Sequence, residues 1–171
     1  MNISKFLLVL VLTLSIVSCK KNDDGPEPFL YNQTNLLGTY EMNYYVSTET
    51  ETININGLDI VTTTTTTGDT FEIEVSFLEN GTYVTDGAFR QMYTVVVAGQ
   101  TVETDSEIII VDNETENFSV SSGSNLLVLA GDNYMVSNFS ETGMTLTLET
   151  IETNGNGDTT VFNEELRFNK I

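Results

Sequence analysis

The sequence predicts an all-β domain, an antiparallel up-and-down meander of about eight or nine strands closed into a barrel. Three observations carry this expectation. From Leu36 to Ile171 threonine is the commonest residue and alanine stands only at 88, 98 and 130, so side chains suited to a pleated surface prevail over helix formers. Apolar and polar residues alternate with a period of two in several runs. Turn signals recur between those runs.

The elements follow in order. Tyr40, Met42, Tyr44 and Val46 are expected on one face, opposite Glu41, Asn43 and Ser47. Phe71, Ile73, Val75 and Phe77 alternate with Glu72, Glu74 and Ser76, and Tyr93, Val95 and Val97 continue the scheme. Met144, Leu146 and Leu148 alternate with Thr145, Thr147 and Glu149, and Leu166 and Phe168 close the chain. Between them lie Glu79-Asn80-Gly81, Ala98-Gly99, Asp112-Asn113, Gly131-Asp132-Asn133, Glu141-Thr142-Gly143 and Asn154-Gly155-Asn156-Gly157. Strands are therefore expected near 38–49, 51–66, 70–78, 82–97, 101–111, 117–129, 133–140, 143–153 and 158–169. Short connections make sequential neighbours antiparallel, and closure removes exposed edges. A two-sheet sandwich suits the same spacing. Pairing of the first strand with the last separates the two.

The chain before residue 36 has another character. Lys5 and the apolar run Phe6–Val17 form a stretch too short to cross a bilayer core as a helix. It ends in Ile16-Val17-Ser18-Cys19, which resembles the lipobox of bacterial lipoproteins. The resemblance implies a signal peptide over 1–18 and acyl chains on Cys19, which anchor the protein to a membrane. Residues 19–35 contain both prolines and read as a flexible tether; residues 36–171 form the barrel domain. Lysine followed by acidic residues, Lys20-Lys21-Asn22-Asp23-Asp24, is similar to the export signal of Bacteroidetes surface lipoproteins. The implied address is the cell envelope, on an outer membrane.

Leu36-Leu37-Gly38-Thr39-Tyr40, Phe77-Leu78-Glu79-Asn80-Gly81-Thr82-Tyr83 and Tyr134-Met135-Val136 succeed one another ahead of Glu141-Thr142-Gly143-Met144-Thr145-Leu146. This order resembles the lipocalin-like lipoproteins of the Bacteroidetes over nearly the whole mature chain. The resemblance implies a lipocalin-like barrel and transfers no specific functional residue. It departs at Tyr40, where a tryptophan often stands.

Composition excludes several function classes. Cys19 is the only cysteine and histidine is absent, which removes disulfides, thiolate zinc sites and Ser-His-Asp arrangements. No cofactor motif is present, and a non-catalytic protein is expected. After position 18 five basic residues face 25 acidic ones, so nucleic-acid backbones would be repelled.

The leading candidate site is the inner barrel face, where Tyr40, Met42, Tyr44, Tyr83, Tyr93 and Tyr134 place phenols and a thioether among aliphatics. Phe71, Ile73, Val75 and Leu146 would share that cavity. Apolar pockets with a few placed polar groups bind small ligands, although small barrels are also often filled by their own side chains. Asn154-x-Asn156-x-Asp158 with Glu165 echoes a calcium loop but lacks the sixth-position glycine, so a hairpin turn is expected and no metal. Asp112-Asn113-Glu114-Thr115-Glu116 reads as a solvated acidic turn and Thr62–Thr67 as an exposed strand. Asp158-Thr159-Thr160 resembles a Bacteroidetes O-glycosylation sequence with Thr159 as acceptor.

The expected function is non-catalytic binding of a small, largely apolar ligand inside the barrel. The alternative is a structural or adhesive surface module acting through its outer face and loops, with a protein partner the sequence does not identify. Cys19→Ser should move the protein from the membrane to the soluble fraction without lowering its melting temperature. Persistent membrane association of that variant would contradict the anchor.

Overall fold

Hairpin chemistry accounts for the connectivity. Asn56-Gly57, Ala98-Gly99 and Ala130-Gly131 each carry positive φ at both residues, from 49° to 104°, the twist that two-residue hairpins require. The computed structural model describes residues 29–171; the signal-like segment, Cys19 and tether residues up to 28 lie outside the described residues. A short helix α1 (Gln33–Leu36) precedes β1 (Gly38–Ile55), β2 (Leu58–Phe77), β3 (Thr82–Val97), β4 (Gln100–Ser121), β5 (Leu126–Leu129), β6 (Asp132–Ser140), β7 (Gly143–Thr153) and β8 (Thr159–Lys170). All neighbours are antiparallel and the ring closes in sequence order. β1 pairs with β8 from Tyr40↔Lys170 to Thr52↔Thr159. That pairing decides for the barrel against the sandwich.

Eight strands replace the nine sequence segments, for local reasons. Asn56-Gly57 makes a turn inside the expected 51–66 strand, so β1 runs on to Ile55. Gly68-Asp69-Thr70 is no break: Thr70 takes φ 52° and the register slips between Asp69 and Glu72 while β2 continues. Asp112-Asn113 behaves alike. Asn113 takes φ 49° within β4, beside a register shift against β3, so the expected acidic turn is a bulge in a strand. Each bulge also exchanges the inward and outward faces. In β1 the slip between Met42 and Tyr44 keeps Tyr40 and Met42 inside and turns Tyr45 and Ser47 inward after it. The expected common face of Tyr40, Met42, Tyr44 and Val46 is thereby corrected.

One end of the barrel is plugged. Asn32 caps α1 by accepting the Asn35 N–H at 2.9 Å, and fully buried Leu36 points into the ring. The Tyr40 hydroxyl donates to the Leu36 carbonyl at 2.9 Å, and Lys170 Nζ donates to the Asn35 carbonyl at 2.9 Å. Phe29 stacks on Phe139, and the Tyr31 hydroxyl donates to the Leu126 carbonyl at 3.0 Å. Residues 29–35, expected as the end of the tether, are thus docked on the barrel. Above this plug Phe77 meets Tyr40 and Phe118 edge-on, with centroids 5.7 and 5.1 Å away. Leu127, Val136, Met144 and Phe168 complete the apolar base.

Glu41, Glu72, Glu74 and Glu149 are exposed on the outward face, interspersed with apolar residues such as Val102, Ile110 and Ile151, a mixture that does not match the continuous apolar band of a lipid-facing barrel. No helix among the described residues is long and apolar enough to cross a membrane.

The far end is incomplete. β5 and β6 are short, and β4 meets β5 only over Phe118–Ser121. Among the described residues, 100–117 of β4 pair with β3 alone, and β7 beyond Leu148 pairs with β8 alone. A notch therefore opens between β4 and β7 above the β5–β6 hairpin.

Gly87 sits at φ 119° opposite Ile73 of β2 and beside the β4 bulge, and a Cβ there would overlap the Glu72 carbonyl oxygen. Gly87→Ala should lower the urea-unfolding free energy by at least about 1–3 kcal/mol, the usual cost of backbone strain alone. An unchanged midpoint would contradict that close approach.

Candidate functional site

Above the plug the lumen keeps a recess of about 220 Å³. Its wall comes from inward residues of six strands. Met42 enters from β1, Ile73, Val75 and Phe77 from β2, Tyr83 and Thr85 from β3, Tyr134 from β6, Leu146 from β7, and Leu166 and Phe168 from β8. Leu129, Ala130 and Asp132, at the tip of the β5–β6 hairpin, border the notch side. A dry apolar cavity of about 150 Å³ holds a benzene-sized guest, so this volume suits a small ring or short chain. Outer clefts of about 520 and 530 Å³ are lined by outward residues such as Thr48, Glu149 and Asn163, or Glu41, Asn43 and Glu72. Those linings are mainly outward, and they also include Leu148 and Glu164 in the first cleft and Met42, Phe71 and Ile73 in the second.

Two tyrosine–carboxylate pairs are tied to this recess. Tyr134 donates its hydroxyl to Glu164 Oε2 at 2.6 Å, and Tyr83 donates to Glu116 Oε2 at 2.9 Å. Glu164 lies in phase with Leu166 and Phe168, and Glu116 in phase with Phe118, so both carboxylates face inward. Burial pushes the Glu164 carboxyl above its ordinary range; the Tyr134 hydrogen bond opposes this and nearby Asp132 adds to it. Burial, then the adjoining carboxylates, raise the Tyr134 and Tyr83 phenols far above the usual value. Both stay protonated donors at neutral pH. Burial likewise pushes Tyr40 up to about 12. With the phenols committed as donors, each carboxylate keeps a second oxygen that can accept from a donor or pair with a cation.

The ten residues expected to line a cavity divide accordingly. Met42, Ile73, Val75, Tyr83, Tyr134 and Leu146 border one recess. Tyr40 lies beneath it in the plug, fully buried. Phe71 faces inward beside the recess and stacks on Phe89 at 5.8 Å. Tyr44 is outside the lumen because of the β1 bulge, and the Arg167 guanidinium covers its ring at 4.1 Å. Tyr93 keeps the inward phase but sits high in the open half, donating to Glu103 at 2.8 Å. Sequence reasoning missed Asp132 and Glu164. Asp132 is hidden in a turn signal, but Glu164-x-Leu166-x-Phe168 was a readable alternation.

The other flagged segments resolve locally. Asn154 Oδ1 accepts the Asn156 and Asp158 N–H groups, and Asp158 accepts from Asn154 Nδ2 and the Asn54 N–H. These bonds hold the Asp158 carboxyl below its usual range, and the loop is the β7–β8 hairpin. Thr159 opens β8 and is half-buried. In the threonine run Thr66 is buried, paired with Ser47, so that run is not wholly exposed.

No family model matches the chain, and no curated protein matches it. Among solved structures, Ail, the attachment invasion locus protein of Yersinia pestis, overlaps 80% of this chain and 100% of its own at 8% identity and a TM-score of 0.26. An overlap that loose carries no argument about function.

Because the folded pKa of Glu164 is raised, its charge destabilises the fold at neutral pH, and the penalty vanishes as pH falls below the unfolded value. Glu164→Gln keeps an acceptor for Tyr134 and removes the charge. It should raise the melting temperature at pH 7, with the gain shrinking toward zero by about pH 4. An equal or larger gain at pH 4 would contradict the assignment.

Proposed function

We propose that this protein is a non-catalytic, lipid-anchored envelope protein that holds a small, largely apolar ligand at the base of its lumen. One observation carries the reading: a recess of about 220 Å³ remains between the plug and the inward tyrosine–carboxylate pairs. Met42, Val75, Leu146 and Phe168 would take the apolar body by burial from water. Glu164 and Asp132 would receive a donor or cationic end, so an amine fits better than an acid. Attachment through Cys19 belongs to the proposal and rests on the lipobox-like Ile16-Val17-Ser18-Cys19. Residues Phe29 and Tyr31 dock at the plugged end, opposite the notch.

Native mass spectrometry of the full chain, taken in mild detergent from its own cells, should show a bound mass lost on gentle activation. Phenethylamine should raise the melting temperature more than ethylbenzene, and phenylacetate should give no shift. At a hundred times its Kd, the stabilisation would be about 2.7 kcal/mol. Val75→Phe, which fills the recess at an overpacking cost of about 1–3 kcal/mol, should abolish the response. A bare chain that responds to none of these compounds would sink the ligand reading.

The alternative, a surface module that binds through its exterior, is favoured by a different feature, the unpaired length of β4.

A further inference from the structure

β4 offers a free sheet edge. Over residues 100–117 it pairs, among the described residues, with β3 and nothing else, so alternate residues turn backbone N–H and C=O groups toward the notch. Two side chains engage N–H groups in this stretch: Asp105 Oδ1 accepts locally from the Ser106 N–H at 2.7 Å, and Asp86 Oδ1 of β3 accepts from the Asn113 N–H at the bulge at 3.2 Å. Such an edge is a template for another strand, and proteins that avoid pairing shorten, bulge or cover it. Here the part from Glu103 to Val111, between a register slip at Val102 and the Asn113 bulge, is in continuous register with β3 and has no other strand beside it among the described residues.

The side chains of that edge specify what could pair with it. On the inward face, in phase with Ile109 and Val111, lie Glu103, Asp105 and Glu107. On the outward face Val102, Ile108 and Ile110 are 61%, 60% and 75% exposed. The three bases of the described residues are placed elsewhere. Arg90 donates to Asp69 at 2.8 Å, Arg167 covers Tyr44 and meets Glu165, and Lys170 is bound at the plug. A neighbouring strand would bring its own alternate residues beside these two rows. A second copy of this chain, with 25 acidic residues against six basic, would set carboxylate against carboxylate on the inward face.

We infer that the β4 edge over Val102–Ile110 binds an extended cationic peptide segment of a partner protein by strand addition, its basic residues alternating inward and its apolar residues outward. Backbone hydrogen bonds supply affinity and the two side-chain rows supply selectivity, the division of labour usual in strand addition. The occupied notch lies between β4 and β7, above the β5–β6 hairpin. This inference rests on β4 alone, so it stands or falls separately from the ligand reading.

The test uses the full chain in non-ionic detergent and an octapeptide of alternating lysine and valine. Saturable binding should appear, with new amide-exchange protection confined to β4 between Val102 and Ile110. The same peptide N-methylated throughout should bind at least tenfold more weakly, as should the valine–glutamate peptide. On the protein side, Glu103→Lys with Glu107→Lys should weaken binding at least tenfold. Ser106→Pro, which removes an edge-facing donor and is the kind of change edge strands accept, should do the same with the melting temperature kept. Equal affinity for the N-methylated peptide would reduce the effect to charge attraction and overturn strand addition. Protection located elsewhere, absence of binding, or a dimer in sedimentation joined through this edge would overturn it as well.

Discussion

Everything above the plug depends on the β1–β8 pairing. Without that seam, eight consecutive hairpin strands are an open sheet with one apolar face in water, and Tyr40, Leu146 and Phe168 have no common interior to fill. The seam runs from Tyr40↔Lys170 to Thr52↔Thr159, longer than any contact made by β5 or β6. Lys170 lies at its lower end, beneath the Tyr40 ring at 5.2 Å and bonded to the Asn35 carbonyl. The last residues of the chain thus hold the first helix over the barrel mouth. Ring closure and end closure are one event.

Bulges then decide what the interior contains. Near Asn43, Thr70 and Asn113 the chain gains a residue and exchanges its faces. Below those points the inward residues are Met42, Val75 and Phe118; above them they are Ser47, Thr66 and Asp105. An apolar base and a carboxylate-rich upper lumen follow from three small slips in register. Their cost is modest because Asn113 tolerates positive φ readily, while β-branched Thr70 does so under more strain. The short β5–β6 hairpin completes the division: it walls the recess with Leu129 and Asp132, then stops, leaving β4 unpaired above.

Much of this was legible in the sequence. Alternation identified the β2 stretch Phe71–Phe77 and the β7 stretch Met144–Leu148, and Glu79-Asn80-Gly81 marked the β2–β3 turn. The meander followed from turn signals and short connections, and the inward course of Met42, Val75 and Leu146 from period two. What sequence did not disclose were departures from the period. Asp112-Asn113 has turn chemistry, yet β3 holds the strand through it, because pairing on both sides of a single αL residue outweighs the local preference. Tyr44 has the right parity and the wrong face, since a bulge leaves no fixed trace in side-chain identity. Asn56-Gly57 is the opposite case, a strong hairpin signal inside a segment that alternation alone makes one continuous strand.

The central claim is that the base of the lumen is a receptor and not merely a core. A high-resolution crystal structure of the full chain purified from its own cells addresses this most directly. Non-protein density should occupy the recess, bounded by Met42, Val75 and Leu146 and reaching toward Glu164 or Asp132. A recess closed by the inward side chains themselves, with Tyr134 and Phe168 in contact across it, would contradict the account.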